Sequence, residues 1–205
     1  MSKYNPATKE KIRAAAEKEF HENGFKGART VKIAERAGVS RTMLHYYFRT
    51  KEDLFQEVLQ HSFGFFLQHA QQHVVETPNL RSFIDNLIEL LSDILLEKPG
   101  LACFVVNILN ENLEVITSLP FIQDENIPGI LNQLLDQARD RQEIQSKISG
   151  EDLVLNIYGL VTIPFLVSPL IAFKEKRSTE EMQSFLQQRK EMIKTFIWNG
   201  LDPVL

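Results

Sequence analysis

One cysteine in 205 residues excludes an internal disulfide framework and suits a reducing compartment. That residue, Cys103, lies in the run LACFVVNIL, where the expectation is a buried small hydrophobe rather than a redox sensor. A glycine-rich phosphate loop, a G-x-S-x-G turn and Cys/His metal spacings are all missing. His69 and His73 have the i, i+4 spacing of a metal pair, but no glutamate stands between them as in H-E-x-x-H, and glutamines surround them. They read as polar-face or pocket residues. Serine, histidine and aspartate are otherwise scattered without motif context. The chain is therefore not expected to be an enzyme, and no catalytic residue, cofactor or metal site is assigned. Sustained period-2 alternation with hairpin turns is also lacking, which points to an all-α fold. Charges interrupt the first apolar residues, unlike in a secretory leader, so a cytoplasmic location is expected.

One stretch lacks charge altogether. Leu153 to Phe173 gives 21 residues, LVLNIYGLVTIPFLVSPLIAF, long enough to match the roughly 20 needed to span a bilayer. Asn156, Tyr158, Gly159, Thr162, Ser168 and two prolines, Pro164 and Pro169, argue against a membrane span. The reading here is a helix buried on all sides, within one subunit and against a partner.

What the chain does contain is a short segment with a strong local grammar. Residues 30–54, TVKIAERAGVSRTMLHYYFRTKEDL, read as two short helices meeting at a tight turn, with a third helix following. Ala34 permits a close crossing, and Gly38 can take the positive φ of a helix C-terminus. Ile33, Ala37, Val39, Leu44 and Phe48 supply a shared core. Thr30 and Ser40 are placed as N-caps of the two helices, and Thr50 with Asp53 as a capping pair for the third. Upstream, Asn5-Pro6 starts a helix whose apolar face is Ile12, Ala15, Ala16 and Phe20, and Gly24 stops it. The exposed face of the second short helix would carry Arg41, Thr42, His45 and Tyr46. A helix-turn-helix with such a cationic, hydrogen-bonding second helix is suited to the major groove of DNA.

Charge is divided accordingly. Residues 1–55 hold 12 Lys+Arg against 7 Asp+Glu, whereas residues 56–205 hold 11 against 20. Phosphate contacts need only local cations, so the overall net charge of −4 does not exclude nucleic acid. The acidic half carries no cationic cluster, which favours a hydrophobic or amphipathic ligand over a large anion.

Phe20, Gly24, Phe25, Thr30, Ile33, Ala34, Ala37, Gly38, Val39, Ser40, Leu44, Tyr46, Phe48, Lys51, Glu52 and Leu54 together resemble the TetR family of bacterial transcriptional regulators. The resemblance at motif level covers roughly residues 8–55. Where that family often has glycine, this chain has Thr42, and His45 replaces the first of two adjacent tyrosines. Both lie on the face that would meet DNA and bear on which operator is read.

The resemblance implies a helix-turn-helix DNA-binding domain over residues 1–50 and a helical effector-binding and dimerisation domain over 51–205. It implies a homodimer through the last two long helices, near 152–173 and 179–198. A two-fold dimer would double the base contacts and set half-sites about 34–36 Å apart on a palindromic operator in double-stranded DNA. Arg41 is the candidate for direct base readout, with Thr42 and His45 next. Thr30, Ser40, Tyr46, Tyr47 and Lys51 match family positions that hold phosphates. A small-molecule effector is expected among the middle helices, with Phe66, Phe104, Phe121 and Tyr158 as walls and Asn107, Asn156 and Thr162 as polar contacts. The implied function is repression relieved by that ligand. A transcriptional activator remains an alternative, as does a ligand-binding helical dimer that acts through a protein partner.

Helix periodicity outlines the remainder. A long helix runs from Lys51 to about Val75, with Leu54, Phe55, Val58, Leu59, Phe63, Phe66, Ala70 and Val74 on its apolar side. Others span Asn79 to about Glu97, Leu101 to about Asn112, Ile127 to about Arg141 and Thr179 to Asn199, with Gly200 expected to close the last.

Overall fold

A computed structural model describes residues 5–74, 79–111 and 126–201, with the side chains of 63 and 65–74 excepted. Ten helices occur among the described residues: α1 (Pro6–Gly27), α2 (Thr30–Ala37), α3 (Arg41–Tyr47), α4 (Lys51–Val74), α5 (Leu80–Glu97), α6 (Gly100–Glu111), α7 (Ile127–Asp140), α8 (Gly150–Leu166), α9 (Ser168–Glu175) and α10 (Thr179–Leu201). Among those residues there is no strand. The chain forms two compact units. One holds α1 to α3, α4 as far as Leu67 and α6 from Cys103; the other holds α5 and α7 to α10.

Most helix starts are set by their own side chains. Asn5 Oδ1 accepts the Ala7 N–H (2.9 Å), Asn79 Oδ1 that of Ser82 (2.9 Å) and Ser149 Oγ that of Asp152 (3.0 Å). Each satisfies an amide that the first helical turn leaves without a partner. Thr50 and Asp53 bond reciprocally, Thr50 Oγ1 to the Asp53 N–H (3.0 Å) and Asp53 Oδ2 to the Thr50 N–H (3.1 Å). α1 breaks at Gly24, whose φ of +65° no helix contains, and then completes one further turn to Gly27.

The core of the first unit is aromatic. Phe20 meets Phe55 edge-on at 4.9 Å, Phe25 lies 4.7 Å from Phe55, and Phe104 closes the cluster at 5.9 Å from Phe55. Ile12, Ala16, Ile33, Leu44, Leu54 and Leu59 fill the space around it. In the second unit α7 packs on α8 and α5 packs on α10. Ile84, Leu87, Ile88, Leu131, Leu135, Ile157 and Val161 form the core there.

The α7–α8 crossing leaves no room for a methyl group. A Cβ on Gly150 would sit 2.2 Å from the Pro128 carbonyl oxygen, while its own N–H donates to Asn132 Oδ1 at 2.7 Å. Gly150→Ala is expected to cost about 1–3 kcal/mol, the usual range for overpacking. Chemical denaturation at constant m-value would measure it, and an unchanged midpoint would contradict the packing.

An ion cluster joins α5 to α10. The Lys190 ammonium, buried, donates to Glu89 Oε2 (2.9 Å) and to Asp93, and Lys194 donates to Glu89 and to Glu191 (2.8 Å for the latter). Burial opposes ionisation of Glu89, but the bonds from Lys194 and Lys190 outweigh it and hold the carboxyl below its ordinary range. A depressed carboxyl stabilises the fold above its unfolded pKa and loses that contribution as pH falls through the folded value. Lys190→Met should therefore cost about 1–2 kcal/mol at pH 7, a modest figure because Glu89 and Asp93 keep some access to water. The difference from the parent should shrink as pH falls below the ordinary carboxylate range and through the lowered value that Glu89 has in the folded parent. A difference independent of pH would mean that Lys190 acts through packing alone.

Four features depart from the sequence reading. Cys103 is exposed, because Leu101, Phe104 and Ile108 share the inward stripe of α6 and Cys103 lies with Val106 and Asn110 on the outward one. The uncharged run 153–173 is two helices bent by 57° at Val167. Pro169 has no N–H to give the Phe165 carbonyl, and the Ser168 hydroxyl donates to it instead (2.9 Å), so the helical ladder is interrupted. Among the described residues no single helix is long and apolar enough to cross a membrane. Thr30 is the first residue of α2 rather than its cap, which is Arg29. Finally, Gly200 lies within α10, which continues to the buried Leu201.

Candidate nucleic-acid interface

The turn between α2 and α3 follows from two residues. Gly38 adopts φ +66° and ψ +32°, so its N–H reaches the Glu35 carbonyl (3.1 Å) and the Val39 N–H reaches that of Ala34 (3.0 Å). These bonds satisfy the last carbonyls of α2 and reverse the chain within three residues. Ser40 then starts α3, its Oγ accepting the Met43 N–H at 3.1 Å. Leu44 and Phe48 anchor α3 inward with Ile33 and Ala34, whereas Ala37 and Val39 are half-buried.

α3 is thereby held by one side while its other side faces solvent. Arg41, Thr42, His45 and Tyr46 are all exposed, Tyr46 to 57%, and Met43 is half-buried. Ser40, Arg49 and Thr50 are exposed at the two ends of the helix. Seven residues make α3 about 10 Å long, a length that the roughly 12 Å wide major groove accommodates.

The tertiary structure adds supports that local patterns do not contain. Glu19 on α1 is buried and accepts the Arg29 N–H (3.3 Å), the role that a capping-box carboxylate plays at a helix start. Its other oxygen lies 3.3 Å from Arg36, whose guanidinium also grips Glu22 with two bonds. The bond to Arg36 holds Glu22 below the ordinary carboxylate range. α2 is thus fastened to α1 by a carboxylate and a guanidinium 17 positions apart, a pairing with no sequence signal.

Tyr47 and Lys51, both matched to phosphate-holding positions, have partners from other parts of the chain. The Tyr47 hydroxyl accepts the Asn5 N–H (2.8 Å) and donates to the Asn5 carbonyl (3.2 Å), tying the end of α3 to the start of α1. The Lys51 ammonium donates to the Ala28 carbonyl (3.0 Å) and sits 4.6 Å over the Phe25 ring. Thr30 is half-buried at the start of α2.

The expected effector residues are dispersed. Phe104 is fully buried in the first unit, 4.5 Å from His21 as well as against Phe55. Asn107 is half-buried on α6, and Tyr158 and Thr162 are half-buried on α8, one turn apart, with Asn156 exposed. Phe121 and the side chains of Phe66, His69 and His73 lie outside the described residues.

A family model described as bacterial regulatory proteins, tetR family, matches residues 12–58. The transcriptional regulator RutR of Escherichia coli K12 is 31% identical over 131 residues, 64% of this chain and 58% of RutR. The transcriptional repressor NicS of Pseudomonas putida is 31% identical over 106 residues, 52% of this chain and 49% of NicS. The chain thus spans about half to three-fifths of the length of these relatives. A TetR transcriptional regulator from Chloroflexus aurantiacus has the same fold, with a TM-score of 0.69 at 15% identity over 96% of this chain and 97% of that one. The matched residues 12–58 are the ones that build the α2–α3 turn and its supports, and this segment of the chain belongs to the tetR family of bacterial regulatory proteins.

Proposed function

We propose that this chain is a cytoplasmic repressor that binds a palindromic operator as a homodimer and is released by a small hydrophobic or amphipathic ligand. In this reading residues 1–50 are the DNA-binding domain and 51–205 the effector-binding and dimerisation domain. The observation that carries it is the outer face of α3, where Arg41, Thr42, His45 and Tyr46 project from a helix fixed on its inner side. Arg41 reads a guanine through O6 and N7, and Thr42 and His45 contact neighbouring base edges. Thr30, Ser40 and Tyr46 take phosphates, which set register without carrying sequence information. Tyr47 and Lys51 join them only by exchanging the internal partners described above, so they act chiefly by holding α1, α3 and α4 in place.

Dimerisation is supported by apolar side chains that one chain leaves in water. Leu155 and Ile163 on α8, Leu170 and Phe173 on α9, and Met192 and Phe196 on α10 are all more than half exposed. Repression agrees with the role that the name of NicS gives that relative. Ligand release requires that effector and operator weaken each other by the same factor.

Fluorescence anisotropy with DNA from upstream of the chain's own gene, run across a salt series beside a scrambled duplex, tests the reading. The expected result is sequence-dependent binding by two chains per site, with log affinity falling linearly against log salt. Equal binding to the scrambled duplex, followed by a random-duplex selection that returns no motif, would refute it.

A further inference from the structure

A cleft of about 390 Å³ opens in the second unit where the end of α5, the α8–α9 break and the start of α10 converge. Its walls are apolar, formed chiefly by Leu96, Phe165, Pro169, Met182 and Leu186, and Ser168, Thr179 and Gln183 also line it. Among the described residues, none of the side chains expected from the sequence to meet an effector lies in it. The one charged side chain in its lining, among the described residues, is Arg177.

Arg177 is placed with care by the backbone. Lys176 takes φ +52°, which closes α9 and lets the Arg177 N–H reach the Ala172 carbonyl at 3.0 Å. The guanidinium then lies 4.1 Å over the Phe185 ring, and that of Arg189 lies 5.9 Å from the same ring. Two cations therefore share one aromatic side chain. Arg177 Nη1 and Arg189 Nε are both buried without a hydrogen-bond acceptor. Leaving a charged donor buried and unbonded is costly, so such a group marks a place where an acceptor belongs. The two carboxylates that follow in the chain bond to Ser178: Glu181 accepts its N–H (2.7 Å) and Glu180 its hydroxyl (2.9 Å).

We propose that this cleft binds a small amphipathic carboxylate, its charged end on Arg177 and its apolar body among Leu96, Phe165, Met182 and Leu186. The volume lies at the lower end of the range of small-molecule pockets, and an apolar wall with one orienting charge is their usual composition. A guanidinium presents paired donors that match a carboxylate, which a neutral ester cannot equal. The site is independent of DNA binding and lies within one unit.

Isothermal titration of the full chain with hexanoate, octanoate and decanoate, and with methyl octanoate, decides it. One carboxylate should bind per chain, tightening about fourfold for each methylene until the cleft is full. Methyl octanoate should bind at least about tenfold more weakly than octanoate, and Arg177→Met should weaken octanoate by the same factor. Leu186→Trp, which fills the apolar slot, should abolish binding while circular dichroism and melting temperature show a folded chain. The same spectra qualify Arg177→Met; if that variant does not fold, Leu186→Trp and the ester comparison decide alone. No saturable binding of any carboxylate, equal binding of acid and ester, or unchanged binding in either folded variant overturns the assignment.

Discussion

A chain carrying Phe173→Glu and Phe196→Glu together is expected to be a folded monomer that no longer recognises the operator. Phe173 is 82% exposed and Phe196 66% exposed in the single chain, so neither ring supports the fold from within. Burial against a partner is worth about 1.5–3 kcal/mol for each such ring. A two-fold interface uses each position twice, so the double variant removes about 6 kcal/mol or more from dimerisation and adds four charges that resist desolvation. That is upwards of four orders of magnitude in the dimerisation constant. Operator binding should drop by at least about a hundredfold, because one recognition helix reads only a half-site. Sedimentation at micromolar protein and anisotropy on the operator measure the two effects. A double variant that still sediments as a dimer would remove α9 and α10 from the interface.

Arg41→Ala is expected to weaken operator binding by about 1–3 kcal/mol, roughly five- to 150-fold, and to relax preference at one base pair. Arg41 is exposed at the first position of α3, and its removal disturbs neither the Ser40 cap nor the Leu44 anchor. The melting temperature should therefore hold. The informative comparison is between the operator and a duplex altered at the guanine that Arg41 reads. Loss confined to the parent operator marks base readout, whereas equal loss on both marks a phosphate contact. Unchanged affinity on both duplexes would place Arg41 outside the interface.

Several residues show how far local chemistry reaches. The caps at Asn5, Ser40 and the Thr50–Asp53 pair depend on partners two or three positions away, and all are found as the sequence implies. Gly38 is similar, since a left-handed residue between two short helices is a local requirement. Thr30 illustrates the limit. A threonine before a helical run suggests a cap, but here the buried Glu19 receives the Arg29 amide from another helix. Cys103 shows a second limit, because an apolar run without clear periodicity does not reveal which stripe faces inward.

The same division holds for the sites. The residues on the outer face of α3 follow from helical spacing once Leu44 and Phe48 are known to point inward. The pairing of Arg177 with Arg189 around Phe185 does not, although Phe185 and Arg189 are four positions apart, because Arg177 arrives from the turn before α10. The sequence reading of an acidic half without a cationic cluster passed over Lys174, Lys176 and Arg177, and the α9–α10 turn brings Arg177 to the ring that Arg189, twelve positions on, also faces.

The amino-acid sequence by itself determined the helical class, the helix-turn-helix with its caps, and the cationic face of α3, since these rest on periodicity and on bonds within one turn. Only the tertiary structure decided the bend at Val167, the outward Cys103, the Glu19–Arg36 fastening, the Lys190 ion cluster and the Arg177 cleft. Apart from the bend, each of these depends on which helix faces come together across long sequence separations. Burial raises the cost of an unpaired polar group, so only the packed arrangement reveals which charges are satisfied within the chain and which await a ligand.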